Sequence, residues 1–223
     1  MGSLATAAAA LSRPAALGRA RAARARVRRG AGRTCSVRCG ADGKVGVLFV
    51  CLGNICRSPT GEAVFRAVCE RRGVAGRFDI DSCGTGGGSD NWCQPGGFSY
   101  HEGDNADARM TAAAAKRGVR LTSKSRPLRP QDFDRFEHIL GMDASNLAQI
   151  ERAASQWGVT PREGQVRLTL GGDVLSDPRF AGRYTACPDP YYGGEDGFEL
   201  VLDLLEDACE GLLDTLLPDE DED

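Results

Sequence analysis

Long apolar runs, histidines and paired cysteines are all scarce in this chain, and each shortage narrows what it does. No run approaches the ~18 consecutive apolar residues that a membrane-spanning helix needs, which argues against a membrane partner. Histidine occurs only as His101 and His138, and there is no C-x2-C pair. Zinc sites and Cys/His catalytic pairs therefore lack support, and neither a metal nor a cofactor is implied. Residues 1–39 contain nine arginines and not one acid, the first acid being Asp42. Without that segment, nineteen basic residues face 31 acidic ones, a net charge of −12. Such a balance speaks against a nucleic-acid partner.

The ends differ from the middle. An Arg-, Ala- and Ser-rich stretch without acids has the composition of an organelle transit peptide, so residues 1–39 are expected to be removed rather than folded. A basic tail that binds nucleic acid or membrane is the alternative. Val37, Arg38 and Cys39 before Gly40 have the pattern of a chloroplast processing site, with mitochondrial import as the second destination. Residues 40–217 are long enough for one domain with its own core. Residues 218–223, a proline followed by five acids, are expected to be a solvated acidic tail.

From Lys44 onward, strand and helix patterns alternate. Val45–Val50 is a short apolar run of the kind found in buried strands. Thr60–Arg72 carries Ala63, Val64, Ala67 and Val68 at helical spacing, with Gly73 as its stop. Phe78–Ser82 alternates as a strand. Residues 84–104 are rich in Gly, Ser, Asn and Pro and are expected to form a long insertion loop. Asp107–Arg117 reads as a helix and Pro130–Arg135 as one helical turn. His138–Met142 reads as a strand, and Asp143 suits the N-cap of a helix reaching Gly158. Val166–Leu170 is a further strand. Phe198–Leu217 keeps Val201, Leu204, Leu205, Cys209, Leu212, Leu213 and Leu216 on one face of an amphipathic helix. This order predicts an α/β fold with a parallel sheet covered on both faces. Ligands of such sheets sit beyond the C-terminal strand ends, where the first strand delivers Cys51.

Cys51 alone among the nine cysteines has an arginine six residues later, Arg57. A thiolate is the reactive form of cysteine, and the N–H groups of a loop leading into a helix stabilise one. The same groups cradle phosphate. Gly53 permits close backbone approach, and Asn54 tolerates a left-handed conformation. Arg57 offers a planar fork for two phosphate oxygens. The Ser58 hydroxyl is placed to donate to the thiolate, and Pro59 suits the first helical position. The competing reading is an ordinary strand-to-helix turn with a buried cysteine and a surface arginine. Taken alone, Asp189-Pro190 is a turn signal.

The segment Cys51-Leu-Gly-Asn-Ile-Cys-Arg-Ser-Pro59 resembles the signature of the low-molecular-weight protein tyrosine phosphatases. The similarity continues in Asp81–Thr85, in Phe133–Asp143 and in Asp189–Tyr192, and spans roughly residues 44–215. The Gly-rich insertion resembles the plant and algal chloroplast branch. The resemblance implies a flavodoxin-like three-layer sandwich, in which helices flank a four-stranded parallel sheet. It implies hydrolysis of phosphotyrosine in proteins, and of small aryl phosphates, by an enzyme expected to be a monomer. Cys51 would attack phosphorus, Arg57 and the loop residues Leu52, Gly53, Asn54, Ile55, Cys56 and Ser58 would hold the phosphoryl group, and Asp189 would serve as acid and then base. Tyr100, Tyr191 and Tyr192 align with the walls of the substrate slot, and Asp107 and Arg109 with a structural Asp-x-Arg. The histidine that usually bonds the loop asparagine is replaced by Ser123, which leaves Asn54 without that brace. Cys56 aligns with a neighbour that forms a reversible disulfide with the nucleophile; the plain alternative is a packing residue. Cys93, in the insertion, is either an exposed reactive thiol or a residue without a role.

Arsenate reductases of the same fold also use C-x5-R, but they need relay cysteines, and Gly141-Met142-Asp143 carries none. Relatives that dephosphorylate arginine carry Thr where this chain has Ile55, whose apolar side chain favours a phenyl ring. A non-catalytic phosphate-binding module would have lost Cys51, Arg57 or Asp189, and all three are present.

Overall fold

The computed structural model describes residues 43–191 and 194–217. The transit-peptide segment, the acidic tail and Tyr192 lie outside the described residues. Chain order runs β1 (Val45–Cys51), α1 (Arg57–Arg71), β2 (Phe78–Gly84), α2 (Ala108–Lys116), α3 (Asp132–Arg135), β3 (His138–Gly141), α4 (Ala144–Trp157), β4 (Val166–Leu168) and α5 (Glu195–Leu216). The four strands are parallel, in the order β2-β1-β3-β4. Val47 to Val50 of β1 are fully buried, because helices cover both faces of the sheet. Each such side chain contributes about 1.5–3 kcal/mol of transfer free energy. On one face Val47 and Phe49 meet α1, α2 and α5 through Val64, Phe65, Met110, Val201 and Leu205. On the other, Leu48 and Val50 meet Phe133 of α3 and Ile150 and Ala153 of α4. The result is the expected three-layer, four-stranded flavodoxin-like sandwich.

Boundaries shift where local chemistry decides. α1 begins at Arg57, three residues before the periodic pattern starts, so Pro59 is its third residue and not its first. The first four N–H groups of a helix have no intrahelical partner, so proline is tolerated there. Asp107 and Asp143 cap α2 and α4, accepting from Arg109 N and Asn146 N, and Gly158 ends α4 in the left-handed region. β3 and β4 stop one and two residues earlier than the apolar runs that mark them. α5 starts at Glu195, three residues before its apolar face begins.

The insertion is fastened to the domain. Trp92 packs edge-on against Trp157 at 5.8 Å, and Trp157 Nε1 donates to the Cys93 carbonyl at 2.7 Å. Cys93 is 5% exposed, which removes its reading as an exposed thiol.

Candidate active site

β1 ends at Cys51 and α1 starts at Arg57, so residues 52–56 form a loop at the C-terminal edge of the sheet. Its carbonyls are held from outside. Leu52 O accepts from Thr85 N and Gly87 N, and Ile55 O from Asp107 N at 2.6 Å. Gly53 O accepts from Ser125 Oγ at 2.9 Å, and Cys56 O from Thr60 Oγ1 at 2.7 Å. In a planar trans peptide, a carbonyl turned outward turns the next N–H inward. The amides of Gly53, Asn54, Cys56 and Arg57 thus face the loop interior, where the dipole of α1 adds positive potential. Asn54 N lies 3.3 Å from Cys51 Sγ, and Ser58 Oγ donates to that sulfur at 3.0 Å. These donors match the needs of a thiolate and of a bound phosphoryl group.

Asn54 adopts φ +53, the left-handed conformation expected of it. Its side chain holds the loop shut: Nδ2 donates to Ser58 Oγ at 3.0 Å and Ser82 Oγ at 2.9 Å, and Oδ1 accepts from Arg126 N at 2.9 Å. Ser82 Oγ donates in turn to Glu62 Oε2 at 2.6 Å. The brace expected to be missing is therefore supplied by Ser82 on β2, not from position 123.

Arg57 is 4% exposed and points across the loop mouth. Nη1 donates to Asp143 Oδ2 at 2.6 Å and to the Cys187 carbonyl at 3.1 Å; Nη2 donates to Asp189 Oδ2 at 2.9 Å. Burial works against its charge, but Cys51, Asp143 and Asp189 outweigh burial and hold its pKa above the ordinary value. Asp189 Oδ1 accepts from Tyr191 N at 3.0 Å. Asp189, 132 residues beyond Arg57 in the chain, thus meets Cys51 and Arg57 at one mouth.

The rim is aromatic. Leu52, Phe98, Tyr100 and Tyr191 are the exposed large hydrophobic residues among the described ones. Tyr100 packs edge-on against Phe98 at 5.0 Å. The Arg109 guanidinium lies 5.2 Å from the centre of the Tyr191 ring, and is itself clamped by Asp107 at 2.8 Å. His101 closes over Gly53: a Cβ there would stand 2.9 Å from its ring, so any larger residue would push the imidazole aside. Cys56 is buried beside the nucleophile, and burial, reinforced by Cys51, Asp107 and Asp189, pushes its thiol far above the usual range.

Asp143, Ser82, Glu62, Arg126 and His101 belong to this site and were missed by sequence reasoning as site residues. Asp143 reads as a helix cap, which it also is. Ser82 carried a usable signal: a serine on the inward phase of β2, after Phe78 and Ile80, is a polar group in a core position that needs partners.

A family model described as "Low molecular weight phosphotyrosine protein phosphatase" matches residues 46–222. The chain is 41% identical over 172 residues to a putative low molecular weight protein-tyrosine-phosphatase of Synechocystis, covering 76% of this chain and 95% of that one. It is 42% identical over 153 residues to the low molecular weight phosphotyrosine protein phosphatase of Schizosaccharomyces pombe, covering 68% and 84%. A crystal structure of a protein tyrosine phosphatase from Entamoeba histolytica superposes with a TM-score of 0.64 at 37% identity, covering 78% of this chain and 97% of that one. A thiol ringed by inward-facing amides, an arginine across the mouth and a matching sequence over most of the domain agree: the chain belongs to the low molecular weight phosphotyrosine protein phosphatase family, a family of cysteine-dependent hydrolases.

Proposed function

We propose that this chain hydrolyses phosphotyrosine in proteins, and small aryl phosphates, through a phosphocysteine on Cys51. The observation that carries this reading is the convergence on Cys51 Sγ of Asn54 N and Ser58 Oγ, with Arg57 and Asp189 paired across the mouth. The Cys51 thiolate forms the S–P bond while the P–O bond to the phenol breaks. The leaving oxygen takes a proton from Asp189. Asp189 then removes a proton from water, the water oxygen bonds to phosphorus, and the S–P bond breaks to return phosphate and thiolate. Arg57 and the inward amides stabilise the charge on the transferring group in both steps. Ile55 and the rim aromatics supply the apolar walls that a phenyl ring needs, and favour phosphotyrosine over phosphoarginine. Hydrolysis of phosphotyrosine peptide without divalent cation, well above that of phosphoarginine peptide, is the expected result. A requirement for metal, or a preference for phosphoarginine, would contradict it.

The neighbouring thiols support a redox step within the same reading. Peroxide converts the Cys51 thiolate to a sulfenic acid, and attack by Cys56 sulfur forms the disulfide and releases water. Dithiol should restore activity to peroxide-treated enzyme, and mass spectrometry should find the linked Cys51–Cys56 peptide. Irreversible loss, or no linked peptide, sinks the switch.

The acid-free composition of residues 1–39 supports import into a chloroplast as a member of the chloroplast-type branch, with the mitochondrion as the other destination. A fluorescent fusion of residues 1–45 should enter the organelle, and cytosolic fluorescence would refute it.

A further inference from the structure

A second cluster of basic groups lies at the sheet edge formed by β4, outside the machinery around Cys51. Arg167 pairs in register with Leu140 of β3, and His138 stands two residues before Leu140. Paired residues of parallel strands share a face, as do residues two apart along one strand. Arg167 and His138 therefore project from the same face as Leu140. His138 opens β3 at its N-terminal end, whereas Cys51 closes β1 at its C-terminal end.

Both side chains hold buried polar atoms without a hydrogen-bond partner: Nε and Nη2 of Arg167, and Nδ1 of His138. Native proteins leave few such groups unpaired, and a bound ion or water is a common reason where they do. The two Arg167 nitrogens form one edge of the guanidinium, a fork that grips an oxyanion through two parallel N–H bonds. Burial is what acts on the Arg167 charge, lowering its pKa, and no carboxylate among the described residues offsets it. Other partly buried arginines differ: Arg117 has Glu199 and Asp203, and Arg126 has Asp81 and Asp132. Among the described residues, the charges that act on His138 are those of Arg167 and Arg162, both positive. Arg162 faces it from the turn before β4, its guanidinium donating to the carbonyls of Phe133 and Phe136. Glu137, next in the chain, gives its carboxylate to the Gly46 amide at 2.6 Å.

We propose that Arg167, flanked by His138 and Arg162, binds a small doubly charged oxyanion of the phosphate type at the β4 edge, separate from the Cys51 loop. The Arg167 fork takes two oxygens, and His138 supplies a third donor once it gains a proton. A dianion matches two guanidinium charges and one imidazolium better than a monoanion does. Without the anion, burial, aided by Arg167 and Arg162, keeps His138 neutral down to a pKa of about 4. The proposal does not depend on the catalytic reading.

The presence of two histidines makes a direct test. In the full-length protein carrying 13C-labelled histidine, His101→Gln assigns the two Cε1–Hε1 signals. Both are followed against pH in chloride, then with sulfate, a phosphate-like oxyanion that stays doubly charged across the range in which His138 titrates. The His138 signal should shift saturably with sulfate, and its midpoint should rise by about one unit or more, a tenfold gain in proton affinity. Arg167→Met should abolish that response while inorganic phosphate still inhibits turnover as before. Arg167→Lys keeps the charge but not the fork, and should raise the sulfate concentration required by about tenfold; it carries the test if the methionine variant does not fold. No His138 response in the unmodified protein, or an equal response in a folded Arg167 variant, overturns the proposal.

Discussion

Arg57 Nη2 lies 2.9 Å from Asp189 Oδ2, so the cation proposed to clamp the phosphoryl group and the carboxylate proposed to handle the proton are held together in the structure. In the proposed mechanism an entering phosphoryl group takes over the Arg57 edge, and Asp189 is left facing the leaving oxygen. Its second oxygen stays on the Tyr191 amide, which keeps the carboxyl aimed at the mouth.

Arg57→Lys keeps one positive charge but loses the fork and at least one of the contacts to Asp143, Cys187 O and Asp189. The expected loss is about 10²–10³ in kcat on an aryl phosphate, the scale for removing one transition-state donor. Steady-state kinetics check this, and a loss confined to KM would contradict it.

Asp189→Asn should slow turnover by about 10²–10⁴, the range for a general acid. The loss should be largest for phenols that leave poorly and smaller for p-nitrophenyl phosphate. Inhibition by inorganic phosphate should persist. A penalty equal for good and poor leaving groups would assign Asp189 a binding role only.

Ser82→Ala breaks the bridge between Asn54 Nδ2 and Glu62 Oε2. Glu62 is 7% exposed, so its carboxylate is left without that donor at a cost of about 1–3 kcal/mol. Lower stability in urea and weaker phosphate binding should appear together, because the same bond shapes the loop. Unchanged phosphate affinity would separate Ser82 from the loop.

The sequence was most legible where one residue type answers one local need. Asn54 in the left-handed region, the cap at Asp143, and the strand leading to Cys51 are of this kind. Long-range pairings were not legible from spacing. Arg57 finds Asp143 and Cys187 O only after the sheet brings loops 86 and 130 residues away to one edge. The start of α1 was misplaced because Arg57 and Ser58 carry no apolar periodicity, although their helical turn is what aims the amides. The burial of Cys93 was not legible because a Gly-rich segment suggests exposure, whereas Trp92, packed on Trp157, ties this one into the core beneath α3 and α4.

His138 gives the fold an acid-sensitive element. Its folded pKa is about 4 against 6.5 unfolded. Between these values the unfolded chain binds a proton at this residue and the folded chain does not, so stability rises with pH. The contribution is complete above about pH 6.5 and is lost toward pH 4, with an upper bound of about 3 kcal/mol before its partial exposure reduces it. His138→Gln should flatten this part of the profile in urea melts run in chloride buffer. An unchanged slope between pH 4 and 6.5 would contradict it.

Rapid acid quench of the enzyme with an aryl phosphate, followed by peptide mass spectrometry, tests the central claim most directly. The account predicts phosphate on Cys51, its loss in Cys51→Ser together with turnover, and its accumulation when Asp189 is replaced by Ala and a good leaving group is used. Turnover that survives Cys51→Ser, or phosphate found on another residue, would contradict it.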